Sequence, residues 1–181
     1  MVLKLIRQAV LLLAVLTVAA ATIGFTSRPP VNPAFDPKAT IQATLAMPDA
    51  VSRMLRRSCF DCHSQETTWP WYTRLPIASG LMRHDVEAAR KAMNFSDWGS
   101  GPGRRPELGI ALLQAACSDV KQGRMPKRRY LMLHPSAKVS AADANTFCAW
   151  VNDETHRVVQ ARHSALRRAA LTKVLQTENN R

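Results

Sequence analysis

What this chain lacks narrows it first. No stretch alternates apolar and polar residues in the way of a β-strand, so the βαβ setting of a dithiol oxidoreductase is excluded. No internal repeat is visible. Acidic residues are scarce, 13 against 25 Lys and Arg in 181 residues, which leaves a net charge of +12. An excess of that sign favours acidic partners or anionic lipid headgroups. Only one CxxC pair is present among the four cysteines, so a zinc module built on two such pairs is excluded. No charge falls between Arg7 and Arg28, and no glycine or proline follows Pro135.

The uncharged run sits behind Lys4 and Arg7 and is followed by small residues at Ala19 and Ala21. A basic start, an apolar middle and small residues at the end make a secretory signal. The run also approaches the roughly 17–25 residues that span a bilayer. Residues 1–25 are therefore read as a signal sequence or a membrane anchor, with the N-terminus in the cytoplasm by the positive-inside rule. The body is expected to be exported, which sets nucleic acid aside as a partner. Residues 26–46 hold Pro29, Pro30, Pro33 and Pro37 and are read as an extended linker.

The centre of the chain is Cys59-Phe60-Asp61-Cys62-His63. Two cysteines three apart and an immediate histidine form the attachment signature of a c-type haem. Each thiol can add to one vinyl group of the porphyrin, and the adjacent imidazole then lies close enough to the ring face to ligate the iron. A single covalent haem c is the expected cofactor, held by Cys59 and Cys62 with His63 as proximal ligand. Zinc would need more ligands, and Cys117 and Cys148 are not spaced to supply them.

Around the motif the pattern is helical. A helix begins at Pro48 and runs through Val51, Met54 and Leu55, delivering both cysteines from its last turn. A second is expected over residues 76–93, and a third from Pro106 to a stop at Gly123. Ser140 with Asp143 resembles a capping box and opens a last helix that nothing interrupts before Arg181. The fold is predicted to be all-α: a small cytochrome c-like domain over residues 47–154, with an N-terminal hydrophobic helix and a basic helical tail over residues 155–181.

Iron held by one histidine leaves a second axial position. Met125-Pro126 follows Gly123 in a loop between helices, and a thioether there would suit electron transfer by raising the potential relative to two histidines. Met82, His84, Met93, Met132 and His134 are its rivals. Trp69, Trp71 and Tyr72, with Phe95 and Trp98, are expected to pack on the porphyrin or bond a propionate, with Arg90, Arg104 and Arg105 as further propionate candidates. Lys121, Arg124, Lys127, Arg128 and Arg129 surround Met125 in sequence and would steer an acidic redox partner. Cys117 and Cys148 lie near the ends of the helices flanking the Met125 loop. An oxidising compartment favours a disulfide between them over two buried thiols.

Cys59-Phe60-Asp61-Cys62-His63-Ser64, Trp69-Pro70-Trp71-Tyr72, Asn94-Phe95-Ser96-Asp97-Trp98, Met125-Pro126, Tyr130, Leu133-His134-Pro135 and Cys148-Ala149-Trp150 together resemble the bacterial haem-binding domain family, over residues 47–151. Lys127 and Ala89 depart from its pattern. The stretch from Met125 to Trp150 is also similar to the end of class I cytochromes c. That resemblance implies Met125 as distal ligand and a bacterial periplasmic location, soluble or anchored to the inner membrane by residues 5–25. The expected function is single-electron transfer. A haem-based sensor, or an accessory subunit of a redox enzyme, is the alternative. An enzyme with an open axial position is a third class, and would need His84 or His134 to face the iron.

Overall fold

The computed structural model describes residues 2–26, 31–101 and 104–179. Among them every regular element is a helix, and no strand occurs. Helix α1 (Val2–Thr26) is long and apolar enough to cross a membrane, and its side chains over residues 2–22 are exposed. Twenty-five residues rise about 38 Å, more than the hydrocarbon thickness of a bilayer. The Thr17 hydroxyl donates to the Leu13 carbonyl at 3.0 Å and that of Thr22 to Val18 at 2.7 Å, so neither needs water.

The proline-rich segment is not a spacer along its whole length. Asp36 caps a 3-10 turn at Pro37–Ala39, and Thr40 caps the short helix α2 (Ile41–Thr44). Ile41 is completely buried in the core. The Ala39 carbonyl accepts the Gly99 N–H at 2.7 Å. A Cβ at residue 99 would stand 2.9 Å from Thr44 Cγ2, so glycine is what permits the approach. One apolar residue and two caps convert the second half of the expected linker into part of the domain.

Helix α3 (Asp49–Ser58) carries its acid in the first turn and Arg56 and Arg57 in the last, as the helix dipole favours. Val51, Met54, Leu55 and Ser58 are buried along one stripe. The helix runs to Ser58 as expected, and the two cysteines follow it rather than sitting in its last turn. The backbone bends at Cys59 (φ −125°, ψ −35°) and resumes as the one-turn helix α4 (Phe60–His63), closed by the His63 N–H on the Cys59 carbonyl at 2.9 Å. Phe60 stacks on Phe95 with ring centroids 5.3 Å apart, which anchors the bend in the core.

Helix α5 (Pro76–Ala92) packs on α4, and α6 (Pro106–Lys121) packs on the last helix. Both open on proline, and α6 is followed by Gly123 at φ 66°. A further short helix, α7 (Arg128–Leu133), lies where the sequence suggested only loop. Helix α8 (Ala141–Asn179) opens on the reciprocal bonds of Ser140 and Asp143. Its first turns bury Phe147, Cys148, Trp150 and Val151, and Trp150 Nε1 donates to the Ala46 carbonyl at 3.0 Å. From residue 159 the described side chains of α8 are exposed, including Arg162, Arg167, Arg168 and Lys173.

Cys117 of α6 and Cys148 of α8 are disulfide-bonded, with Cα atoms 5.4 Å apart. The bond closes a loop of 31 residues that contains the Met125 segment. Replacing both cysteines by serine is expected to lower unfolding stability by about 3.7 kcal/mol on loop-entropy grounds. Equilibrium denaturation of the two proteins checks this; equal midpoints would remove the bond from the account of stability.

Candidate functional site

A cavity of about 420 Å³ opens between the bend at Cys59, helices α5 and α6, and the chain after Gly123. That size is ordinary for a cofactor site. Small residues make the room: Ala78, Ala88, Ala89 and Ala92 face it from α5, and Ala115 and Ala116 from α6. Leu55, Leu81, Leu112 and Val120 complete a wall that is mostly apolar. Cys59, Cys62, His63, Tyr72 and Met125 all reach this one cavity.

His63 is held in a defined state. Its Nδ1 lies 3.0 Å from the Met93 carbonyl, and a carbonyl can only accept. The proton therefore sits on Nδ1, and Nε2 keeps a free lone pair. Burial lowers the pKa, outweighing the backbone contacts with Met93 and Ala89, so the ring is neutral at pH 7. A neutral imidazole fixed through Nδ1 is the form that ligates a metal.

The two motif cysteines are free thiols and are not bonded to each other. Burial, with the neighbouring Cys62 charge, pushes Cys59 up to about 12. Burial, with Asp61 and Asp85, pushes Cys62 up to about 11. Both stay protonated at pH 7. No group of three His, Cys, Asp or Glu side chains converges on a metal point among the described residues.

The residues expected from the sequence as a second iron ligand separate by location. Met82, Met93 and Met125 line the cavity. Met132 is 82 % exposed, and His84 is exposed on α5 beside Asp85. His134 is off the cavity wall, its Nε2 2.7 Å from the Tyr72 hydroxyl and its ring stacked on Tyr130 at 4.3 Å. Met93 belongs to the core and presents its carbonyl to His63, which places it on the histidine side.

Of the five aromatic rings singled out from the sequence, Tyr72 and Phe95 line the cavity. Tyr72 lines the cavity, but Trp69 and Trp71 do not. The 3-10 turn at Trp71–Arg74 leaves Trp71 76 % exposed, with its edge toward the Tyr72 ring. Trp69 Nε1 donates instead to Asn32 Oδ1 at 3.1 Å. Phe95 is on the wall, while Trp98 lies behind it in the core. Arg90 is consumed by the loop after the motif, donating to the Ser64 carbonyl at 2.8 Å and Thr67 Oγ1 at 2.9 Å. Arg104 and Arg105 are exposed and off the cavity wall.

Two carboxylates were not singled out from sequence. Asp61 accepts the Tyr130 hydroxyl at 2.7 Å on Oδ2 and the Thr68 N–H at 3.0 Å on Oδ1. Asp85, on α5, accepts Lys127 Nζ at 2.8 Å and Arg129 Nε at 3.1 Å. Arg124 donates to Asp119 at 2.8 Å. The basic run around Met125 is thus partly neutralised, which its sequence alone does not disclose. The available signal was the acid pair Asp85 and Glu87 in α5, opposite in charge to the run.

An all-helical protein whose apolar cavity offers two neutral thiols and one neutral imidazole is built to hold a large, flat, apolar prosthetic group. Haem fits these residues by donor chemistry. The Ser58 hydroxyl, buried on the same wall beside Cys59, has no hydrogen-bond partner among the described residues. The haem-binding domain family matches residues 18–153, well over half of the chain, and the chain belongs to that family. No curated protein and no solved structure matches it.

Burial alone would raise the Asp85 carboxyl, but hydrogen bonds and charge from Arg129 and Lys127 outweigh it and hold the pKa below the usual carboxylate value. A depressed folded pKa gives stability that is present above the unfolded value, about 3.9, and is lost as pH falls through the folded one. Asp85→Asn is expected to be less stable than wild type at pH 7, with the gap narrowing below that range. A gap that stays constant through the acid transition would show that these ion pairs contribute nothing.

Proposed function

We propose that this protein is an exported, single-haem c-type electron carrier whose iron is ligated by His63 and Met125. One observation carries the reading: Cys59, Cys62, a His63 with Nε2 free, and Met125 all line one apolar cavity. Cys59 and Cys62 would hold the haem through two thioethers. When bound, the haem supplies a one-electron iron couple.

The chain's own residues do the rest. Met93 fixes the His63 tautomer through the 3.0 Å bond, which leaves Nε2 as the nitrogen that would ligate the iron. The alanine faces of α5 and α6 leave space for a ring. The Met125 thioether is uncharged and binds iron in either oxidation state, so no proton need move with the electron. The Met125 segment is tied to α6 through the Arg124 N–H on the Asp119 carbonyl at 2.9 Å, and to α5 through Lys127 and Arg129 on Asp85.

Export is supported by α1, by the haem-attachment motif and by the disulfide, which suits an oxidising compartment. An acidic partner is supported by Arg124, Lys127, Arg128 and Arg129, which outnumber the two carboxylates they meet, Asp85 and Asp119. That His84 and His134 lie off the cavity wall supports a carrier over an enzyme. Met82 is the remaining competitor for the second axial position.

The test is the ferric absorption spectrum of the purified protein. Sulfur ligation gives a weak band at about 695 nm, and Met125→Ala is expected to remove it, lower the potential and admit carbon monoxide to the reduced form. Loss of the band in Met82→Leu instead would move the ligand to α5. A wild-type protein that is high-spin and binds carbon monoxide would favour the sensor reading.

A further inference from the structure

The chain that leaves α1 is fixed to the domain almost at once. Helix α1 ends at Thr26. Six residues later Asn32 donates from Nδ2 to the Thr67 carbonyl at 2.8 Å, and its Oδ1 accepts from Trp69 at 3.1 Å and Arg90 at 3.1 Å. Six residues reach at most about 20 Å. If α1 crosses a bilayer, the Asn32 corner of the domain lies within that distance of the lipid surface.

That corner is apolar and exposed among the described residues. Val31, beside Asn32, is 92 % exposed. Trp71, two residues from Trp69, is exposed, as are Leu75 and Ile77 where the Trp71–Arg74 turn packs against the start of α5. Arg74 is exposed among them and forms no ion pair among the described residues. A single surface aliphatic needs no explanation. A tryptophan, three aliphatics and an arginine at the point where a short membrane tether attaches do. Indole rings settle at the headgroup level of a bilayer, and cationic side chains pair with lipid phosphate.

We propose that this corner rests on the surface of the bilayer that α1 crosses, with Trp71 and Ile77 in the headgroup layer and Arg74 against lipid phosphate. The tether brings lipid within reach whether or not another protein is present, which is why lipid is the occupant. The inference rests on α1 remaining attached as an anchor and does not depend on the haem. It has one structural consequence for the site. Tyr72 contacts Trp71 edge-on and lines the cavity, so docking would turn one wall of the cavity toward the membrane.

The experiment uses the full chain in vesicles of phosphatidylcholine and phosphatidylglycerol. A photo-reactive benzophenone side chain is placed in turn at Trp71, at Ile77, at Leu11 in α1 and at Ser164 on the exposed part of α8. Lipid adducts are expected at Leu11, and at Trp71 and Ile77 at least about tenfold above Ser164, since interfacial depth decides the yield. Adducts at Leu11 with none above the Ser164 level at Trp71 and Ile77 overturn the docking and leave the anchor standing. Protein adducts in place of lipid at those two positions overturn it in favour of a protein partner. No lipid adduct at Leu11 overturns anchor and docking together. Each arm reads the same whether or not haem is attached.

Discussion

The hydrogen bond between His63 Nδ1 and the Met93 carbonyl is the contact on which the site depends. It decides which imidazole nitrogen carries the proton, and therefore which one faces the cavity with a lone pair. Its two ends come from parts of the chain thirty residues apart, so it forms only when α4 is seated against the end of α5. The seating is a packing event. Phe60 and Phe95 stack, Phe95 meets Trp98, and Arg90 ties the loop after the motif to the same region. Apolar burial thus fixes the protonation geometry of the histidine on the cavity wall.

The cavity opposite His63 is bounded by a different set of constraints. α6 is locked to α8 by packing and by the disulfide, and Gly123 turns the chain back so that Met125 reaches the wall. Asp85 then meets Lys127 and Arg129 across the same wall. These ion pairs are half in solvent and each is weak alone. Their value lies in direction, since two cations that flank one methionine segment meet one carboxylate on α5. The cavity is left roomy because α5 and α6 present alanine where a core helix would normally present leucine.

Much of this was legible in the sequence because the signals are local. The CxxCH spacing, the prolines that open α5 and α6, Gly123, and the Ser140–Asp143 box each act within one turn of chain. The uncharged run of α1 and the unbroken length of α8 are composition, and composition reads directly. What stayed hidden depends on distant partners. Ile41 became core because α2 finds a pocket, not because its neighbours announce a helix. Trp69 and Trp71 were assigned to the porphyrin on residue type, but orientation is set by the Trp71–Arg74 turn and by Asn32, 37 residues from Trp69. Asp85 and Asp61 look like surface acids until Lys127, Arg129 and Tyr130 are brought to them. The bend at Cys59 likewise follows from packing Phe60 inward, which the helical pattern before it does not foretell.

The account stands on covalent attachment of one haem at Cys59 and Cys62. The most direct measurement is the intact mass of the protein, expressed in a host that attaches haem c and unfolded in acid before analysis, beside the Cys59→Ser/Cys62→Ser double variant. The account predicts that wild type exceeds the variant by the mass of one haem, apart from the two substitutions, and keeps it through denaturation. A wild-type chain that loses its haem on unfolding, or a double variant that retains it covalently, would contradict it.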